Sequence, residues 1–235
     1  MKRVIMMIAL ALLLCGGLLG SSLYTVETQT TAHAASNDDP QRINREFKAS
    51  MGGRLEFDLD TGGRIDVIGW DRQLISVEVV KGGRDAAECR IDFQETGAGL
   101  RITSEYEGSG HSYSTNISFV VRVPRRFDLE FDSMGGGIHV CGIEGRISGK
   151  TMGGGLDLNN LGGTINLLTM GGGITLTNSE IEGKVETMGG RVLIENVQGD
   201  VRGSTMGGDV VRRNTGNRIG RTPESQCEPR RRGDG

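Results

Sequence analysis

Met152-Gly153-Gly154-Gly155-Leu156-Asp157-Leu158-Asn159-Asn160 is one copy of a motif that returns at a constant step. The triplet Met-Gly-Gly begins at Met134, Met152, Met170, Met188 and Met206, 18 residues apart each time. A fixed period of this size marks a repeat architecture, in which each unit buries its apolar face against its neighbours. With the copies written under one another, the fifth column reads Ile138, Leu156, Ile174, Val192, Val210. The seventh reads Val140, Leu158, Leu176, Ile194 and then Arg212. Apolar residues separated by one position give strand alternation, with these columns facing inward.

A second short segment follows in each copy: Ile143 to Ile147, Leu161 to Ile165 and Val197 to Val201, with Gly145, Gly163 and Gly199 between the apolar pairs. In the third copy this segment is displaced by two residues, as Ile181-Glu182-Gly183-Lys184-Val185. The ninth column, Gly142, Asn160, Asn178, Asn196 and Asn214, holds the residue types that tolerate the left-handed backbone of a corner. Stacked Asn can also pair amide to amide. Thr151, Thr169, Thr187 and Thr205 form a further column of like residues, and the Met column reads as flexible apolar filler. A three-sided left-handed helix needs an aliphatic every sixth residue, so the spacing here favours a flattened two-layer coil.

The expected fold is therefore all-β: a single-stranded β-solenoid or β-roll of stacked 18-residue coils, with a less regular N-terminal β part. One coil buries about four aliphatics at roughly 1.5–3 kcal/mol each, while ordering its backbone costs roughly 1–2 kcal/mol per residue. Only stacking closes that gap. Residues 134–211 are the regular coils and 42–133 an irregular part of the same stack. Strands are expected at 54–60, 64–68, 74–80, 89–94, 100–106, 117–123 and 127–131, with Pro124 ending one of them.

Residues 1–34 read as a signal peptide or membrane anchor. Lys2 and Arg3 precede an apolar run, and Ala32-His33-Ala34 offers small residues before a cut at Ala35. An uncleaved anchor from Val4 to Tyr24 is the alternative. Leu14 is too bulky to precede a lipidated Cys15. The destination is an exported one: periplasm, cell surface or secreted. Removing 1–34 leaves 25 basic residues (27 less Lys2 and Arg3) and 29 acidic ones (30 less Glu27), a net charge of −4. An acidic body argues against a nucleic-acid groove. Residues 212–235 form an Arg-rich tail, expected to be disordered. Cys89, Cys141 and Cys227 are odd in number, so no disulfide framework is read from them, and a Cys89–Cys141 bridge is one option.

Gly63-Arg64-Ile65-Asp66-Val67-Ile68-Gly69-Trp70-Asp71, Val121-Arg122-Val123-Pro124 and the recurring Thr-Met-Gly-Gly resemble the bacterial putative-adhesin family of Gly-rich β-strand-repeat envelope proteins, over about residues 44–211. The resemblance implies an all-β fold in an exported or membrane-associated protein, with adhesion or envelope-stress roles among relatives, and brings no catalytic residues. Arg212, Thr215 and Asn217 depart from the pattern.

No catalytic, cofactor-binding or metal-ligating residue is assigned and no cofactor is expected. With His111 and His139 alone after the leader, a His-based triad or multi-His zinc site is unsupported. His139 and Cys141 are read as facing solvent or a loop. Ser112 and Ser114 have no base partner in sequence. Recurring Asp, needed for a calcium ladder, is missing from the sixth column of His139, Asp157, Thr175, Leu193 and Val211. Asp58, Asp60, Asp66 and Asp71 are read as solvated strand residues, Trp70 as an edge residue, and Arg232-Gly233-Asp234 as a chance match. The expected function is a non-catalytic, adhesin-like scaffold binding an envelope protein, surface polymer or peptide. A polysaccharide-active enzyme using Asp or Glu is the alternative. Association with the membrane through the N-terminus, and end-to-end self-association through an unprotected end coil, complete the expected partners.

Overall fold

The computed structural model describes residues 40–97, 99–109, 114–215 and 227–229. The leader or anchor at 1–34, His111, Ser112 and the Arg-Gly-Asp tripeptide lie outside them, as does most of the Arg-rich tail. The described chain is all β apart from one 3-10 turn at Ala86–Glu88. The strands are β1 (Gln41–Lys48), β2 (Gly53–Leu59), β3 (Arg64–Trp70), β4 (Leu74–Gly82), β5 (Cys89–Thr96), β6 (Gly99–Tyr106), β7 (Asn116–Pro124) and β8 (Phe127–Ser133). They continue with β9 (Ile138–Cys141), β10 (Glu144–Thr151), β11 (Leu156–Asn159), β12 (Gly162–Thr169), β13 (Ile174–Thr187), β14 (Val192–Gln198), β15 (Val201–Thr205) and β16 (Val210–Arg213).

The 18-residue period appears as the pairing step between neighbouring parallel strands. Ile138, Leu156, Ile174, Val192 and Val210 pair in succession across β9, β11, β13, β14 and β16. Ile147 pairs with Ile165 and Ile165 with Gly183 across β10, β12 and β13, and Gly183 with Val201 on β15. The long strand β13 joins the two rows: its first half pairs with β11 and β14, its second with β12 and β15.

The expected single-stranded β-solenoid or β-roll is overturned by the rest of the topology. All strands belong to one 16-stranded sheet with the mixed order β1-β4-β7-β3-β9-β11-β13-β12-β10-β8-β2-β6-β5, from which β14 and β15 branch at β13 and β16 follows β14. Pairs β1–β4, β4–β7 and β5–β6 are antiparallel, which successive turns of one winding cannot supply. Before residue 134 the pairings also leave the constant step: Ile65 pairs with both Phe119 and Ile138, and Leu55 with both Leu100 and Leu129. The sheet curls into a nearly closed, barrel-like form. Its two end strands approach each other, with Phe47 of β1 and Phe93 of β5 at 5.9 Å between ring centroids. One apolar cluster fills the interior, from Leu55 and Phe57 through Val121 and Phe131 to Val197 and Val201. Phe57 packs on Phe131 at 5.5 Å and edge-on to Phe119 at 6.0 Å.

The corners follow their residue types. Asn160, Asn178, Asn196 and Asn214 all have φ between 48° and 55°, the left-handed region that Asn tolerates better than most residues. Asn196 Nδ2 donates to Asn178 Oδ1 at 3.1 Å. Thr151, Thr169 and Thr187 are buried, and each hydroxyl reaches back to the preceding corner. Thr169 Oγ1 donates to the Gly154 carbonyl at 2.8 Å, and Thr187 Oγ1 to that of Gly172 at 2.7 Å. The displaced third copy causes no slip in pairing. Ile181 stays opposite Gly163, and the Gly199 backbone comes up against its other side. Its side chain is buried in the core.

Two further expectations change. The Met column does not fill the interior: Met134, Met152, Met170, Met188 and Met206 are all exposed. Residues 41–48, left without a strand by the sequence, form β1 at one end of the sheet. On β16, where the first row of repeats ends, Arg212 turns its guanidinium to the Val201 carbonyl, so the break in the inward column serves as a hydrogen-bonded end.

Two substitutions separate core from surface. Leu176→Ala, at a fully buried site, is expected to lower unfolding free energy by about 2–5 kcal/mol. Met170→Leu should leave it within roughly 0.5 kcal/mol. Urea denaturation of both variants checks this.

Candidate binding groove

On the outer face of β10, β12, β13 and β15 lies an open groove of about 570 Å³. Two columns of polar side chains build it. In-register pairing places Arg146, Thr164 and Glu182 side by side, with Asp200 next to them on the approach to β15. Two residues further along each strand it places Ser148, Asn166, Lys184 and Arg202 side by side. Strand alternation sends both columns outward while Ile147, Ile165 and Val201 point in. At Gly183, on β13 between β12 and β15, the groove has no side chain and the backbone is exposed. A Cβ there would meet the Ile165 carbonyl oxygen at 2.0 Å, so the floor admits only glycine.

The groove carries three cations, Arg146, Lys184 and Arg202, and two carboxylates, Glu182 and Asp200. Lys184 is engaged with Glu186 at 3.0 Å. Among the described residues no ion pair holds Arg146 or Arg202, and the Asp128 carboxylate is taken up by the Arg146 backbone N–H at 2.8 Å. The site is thus a row of unlike hydrogen-bonding groups without a deep cleft. No residue of it was singled out from the sequence. The one available signal was polar residues filling outward positions of the second segment in every copy.

The residues that were singled out lie elsewhere and do not converge. Asp58 is exposed on β2, Asp60 is exposed in the following turn, and Asp71 pairs with Arg125 at 2.8 Å. Asp66 is not a solvated strand residue. It is 2% exposed, with Arg64 Nε at 3.3 Å and His139 Nδ1 at 3.4 Å. His139 and Cys141 do not face solvent either, because β3 and β9 bring them beside Asp66 and Ile68. Trp70, at the end of the interior strand β3, donates its indole N–H to the Leu74 carbonyl at 2.9 Å, and Arg72 covers its ring at 5.2 Å. Ser114 gives its backbone N–H to Asp85 at 2.7 Å. Among the described residues no cluster of three His, Cys, Asp or Glu could hold a metal ion, and no helix is long and apolar enough to cross a membrane.

The disulfide differs from the option read in the sequence. Cys141 bonds to Cys227, closing a separation of 86 residues, and Ile68 packs with both. Cys89 is free and buried, and burial pushes its thiol up from the ordinary range.

No family model and no curated protein matches the chain. Solved structures resemble it at low scores. A "putative cell adhesion protein" from Clostridium sporogenes is 10% identical, over 74% of this chain and 99% of that one, with a TM-score of 0.43. A "putative adhesin" from Bacteroides fragilis is 12% identical, over 74% and 97%, with a TM-score of 0.33. A "putative lipid binding protein" from Parabacteroides distasonis is 14% identical, over 74% and 98%, with a TM-score of 0.30.

Peptide mapping without reductant should link Cys141 to Cys227, and iodoacetamide at pH 8 should leave Cys89 unmodified until the protein unfolds. The raised folded pKa keeps the nucleophilic thiolate scarce at that pH. By linkage, the corresponding stability is present below the ordinary thiol pKa and is lost as pH rises through the folded value. Cys227→Ser should cost about 2–5 kcal/mol of stability. Rapid alkylation of folded Cys89 would contradict this arrangement.

Proposed function

We propose that this protein is a non-catalytic, adhesin-like binding protein of the cell envelope, and that the groove over β10, β12, β13 and β15 engages an extended, hydroxyl- and carboxylate-bearing polysaccharide. The observation that carries the proposal is the pair of outward columns, Arg146-Thr164-Glu182-Asp200 and Ser148-Asn166-Lys184-Arg202. They run across the strands, so a polymer lying along them meets a new pair of polar groups about every 4.8 Å. Guanidinium, ammonium, hydroxyl and amide groups donate to sugar oxygens, and the two carboxylates accept from hydroxyls. Each exposed contact is weak by itself. Affinity would come from engaging several rungs at once, which suits a chain-like ligand better than a small molecule. The leader-like residues 1–34 and the adhesin-like motifs favour a periplasmic, surface or secreted location.

One feature favours a second reading. Glu182 on β13 and Asp200 just before β15 both line the groove, and glycoside hydrolysis uses two nearby carboxyl groups.

Isothermal titration with purified acidic cell-wall polysaccharide distinguishes the two. The double variant Arg146→Ala/Arg202→Ala is expected to bind at least about tenfold more weakly with unchanged thermal unfolding, and added salt should weaken the wild type. Unchanged affinity in the double variant would count against the groove. Release of reducing sugar that stops in Glu182→Gln would establish the enzyme reading instead.

A further inference from the structure

Every methionine after Met7 stands in a Met-Gly-Gly triplet: Met51, Met134, Met152, Met170, Met188 and Met206. None of them belongs to the core, although Met is a natural gap-filler there. All six are exposed, where a soluble surface would ordinarily carry a polar residue. Neither packing nor solubility accounts for this placement, so the sulfur itself is the property to explain.

Five of the six form one ladder. The Met152 amide donates to the Ser133 carbonyl at 3.0 Å, Met170 to Thr151 at 3.0 Å, Met188 to Thr169 at 3.1 Å and Met206 to Thr187 at 3.2 Å. Met134 begins the series on the Leu59 carbonyl at 3.0 Å. Exposure along it runs 59, 45, 40, 42 and 80%, lowest in the middle, as it must be if each side chain screens the next. Met51 lies in the turn before β2, off this ladder.

The ladder is a preformed scaffold. The Thr169 hydroxyl is held by the Gly154 carbonyl and the Gly171 amide, and Thr187 repeats the pattern one rung on with Gly172 and Gly189. Glycines fill the three places after Met134, Met152 and Met170. The corners themselves therefore offer only thioethers as side-chain donors, and the exposed Asp132 and Lys150 just before them pair with each other at 3.2 Å. A thioether is soft and uncharged; it suits Cu(I)-type ions, whereas calcium and magnesium need oxygen ligands. Neighbouring rungs are about 4.8 Å apart, a span that two metal–sulfur bonds of roughly 2.3 Å each can bridge.

We propose that the Met134–Met206 ladder binds soft monovalent cations, Cu(I) or Ag(I), between the sulfurs of successive rungs, with Met152 and Met170 at its centre. The site shares no residue with the polar groove and stands or falls separately from it.

The test uses the full chain carrying Cys15→Ser and Cys89→Ala, so that no free thiol competes, with the disulfide intact. Methionine methyl groups are labelled with carbon-13, and silver nitrate is added in chloride-free buffer. The expected result is a saturable shift of the Met152 and Met170 methyl signals at silver concentrations that leave Met51 unmoved. Met152→Leu/Met170→Leu should weaken silver binding at least about tenfold without changing thermal unfolding. The proposal is overturned if Met51 and Met170 respond alike, if no methionine signal moves, or if the double Leu variant binds silver as the parent does.

Discussion

The structure depends on a backbone constraint: residues 18 positions apart lie opposite each other on neighbouring parallel strands. Once Ile138, Leu156, Ile174, Val192 and Val210 share a row, every other position of the repeat must also form one. Aliphatic rows then close the interior, Thr and Asn rows hold the corners, and Met and charged rows have only the outside left. A one-residue slip would send the whole aliphatic set to solvent. Ile181 illustrates how tightly the register is kept: displaced in sequence, it is buried opposite Gly163 while the pairing stays in step.

That constraint also makes surface chemistry repeat. A groove is formed where Arg146, Thr164, Glu182 and Asp200 run beside Ser148, Asn166, Lys184 and Arg202, and a sulfur ladder where successive Met-Gly-Gly corners align. Both features come from the same step and use opposite chemistry. One offers charged and hydroxyl groups for a hydrated chain; the other offers neutral, polarisable atoms for a soft ion.

Much of the interior was legible in the sequence, because alternation reports which face a residue occupies. The inward columns, the left-handed Asn corners and the locations of β2 to β8 could be read that way. Alternation does not report a strand's partner or direction, so the antiparallel pairing of β1, β4 and β5 and the interleaved order of the sheet were not readable. β1 escaped notice because only Ile43 and Phe47 are partly covered along its length, which leaves no period of two. Asp66 was misread for a related reason: its own strand turns it outward, but Arg64 and the neighbouring strand's His139 cover it. The groove needs four strands to exist, and Cys141–Cys227 joins positions whose spacing carries no signature.

The register itself can be measured directly by nuclear Overhauser contacts between backbone protons of the folded protein in solution. The account requires contacts of the parallel type linking Asp157 to Thr175 and Thr175 to Leu193, repeated at the same 18-residue step in the second row from Ser148 to Asn166 to Lys184. Contacts that instead join adjacent segments as antiparallel hairpins within residues 134–211 would contradict it.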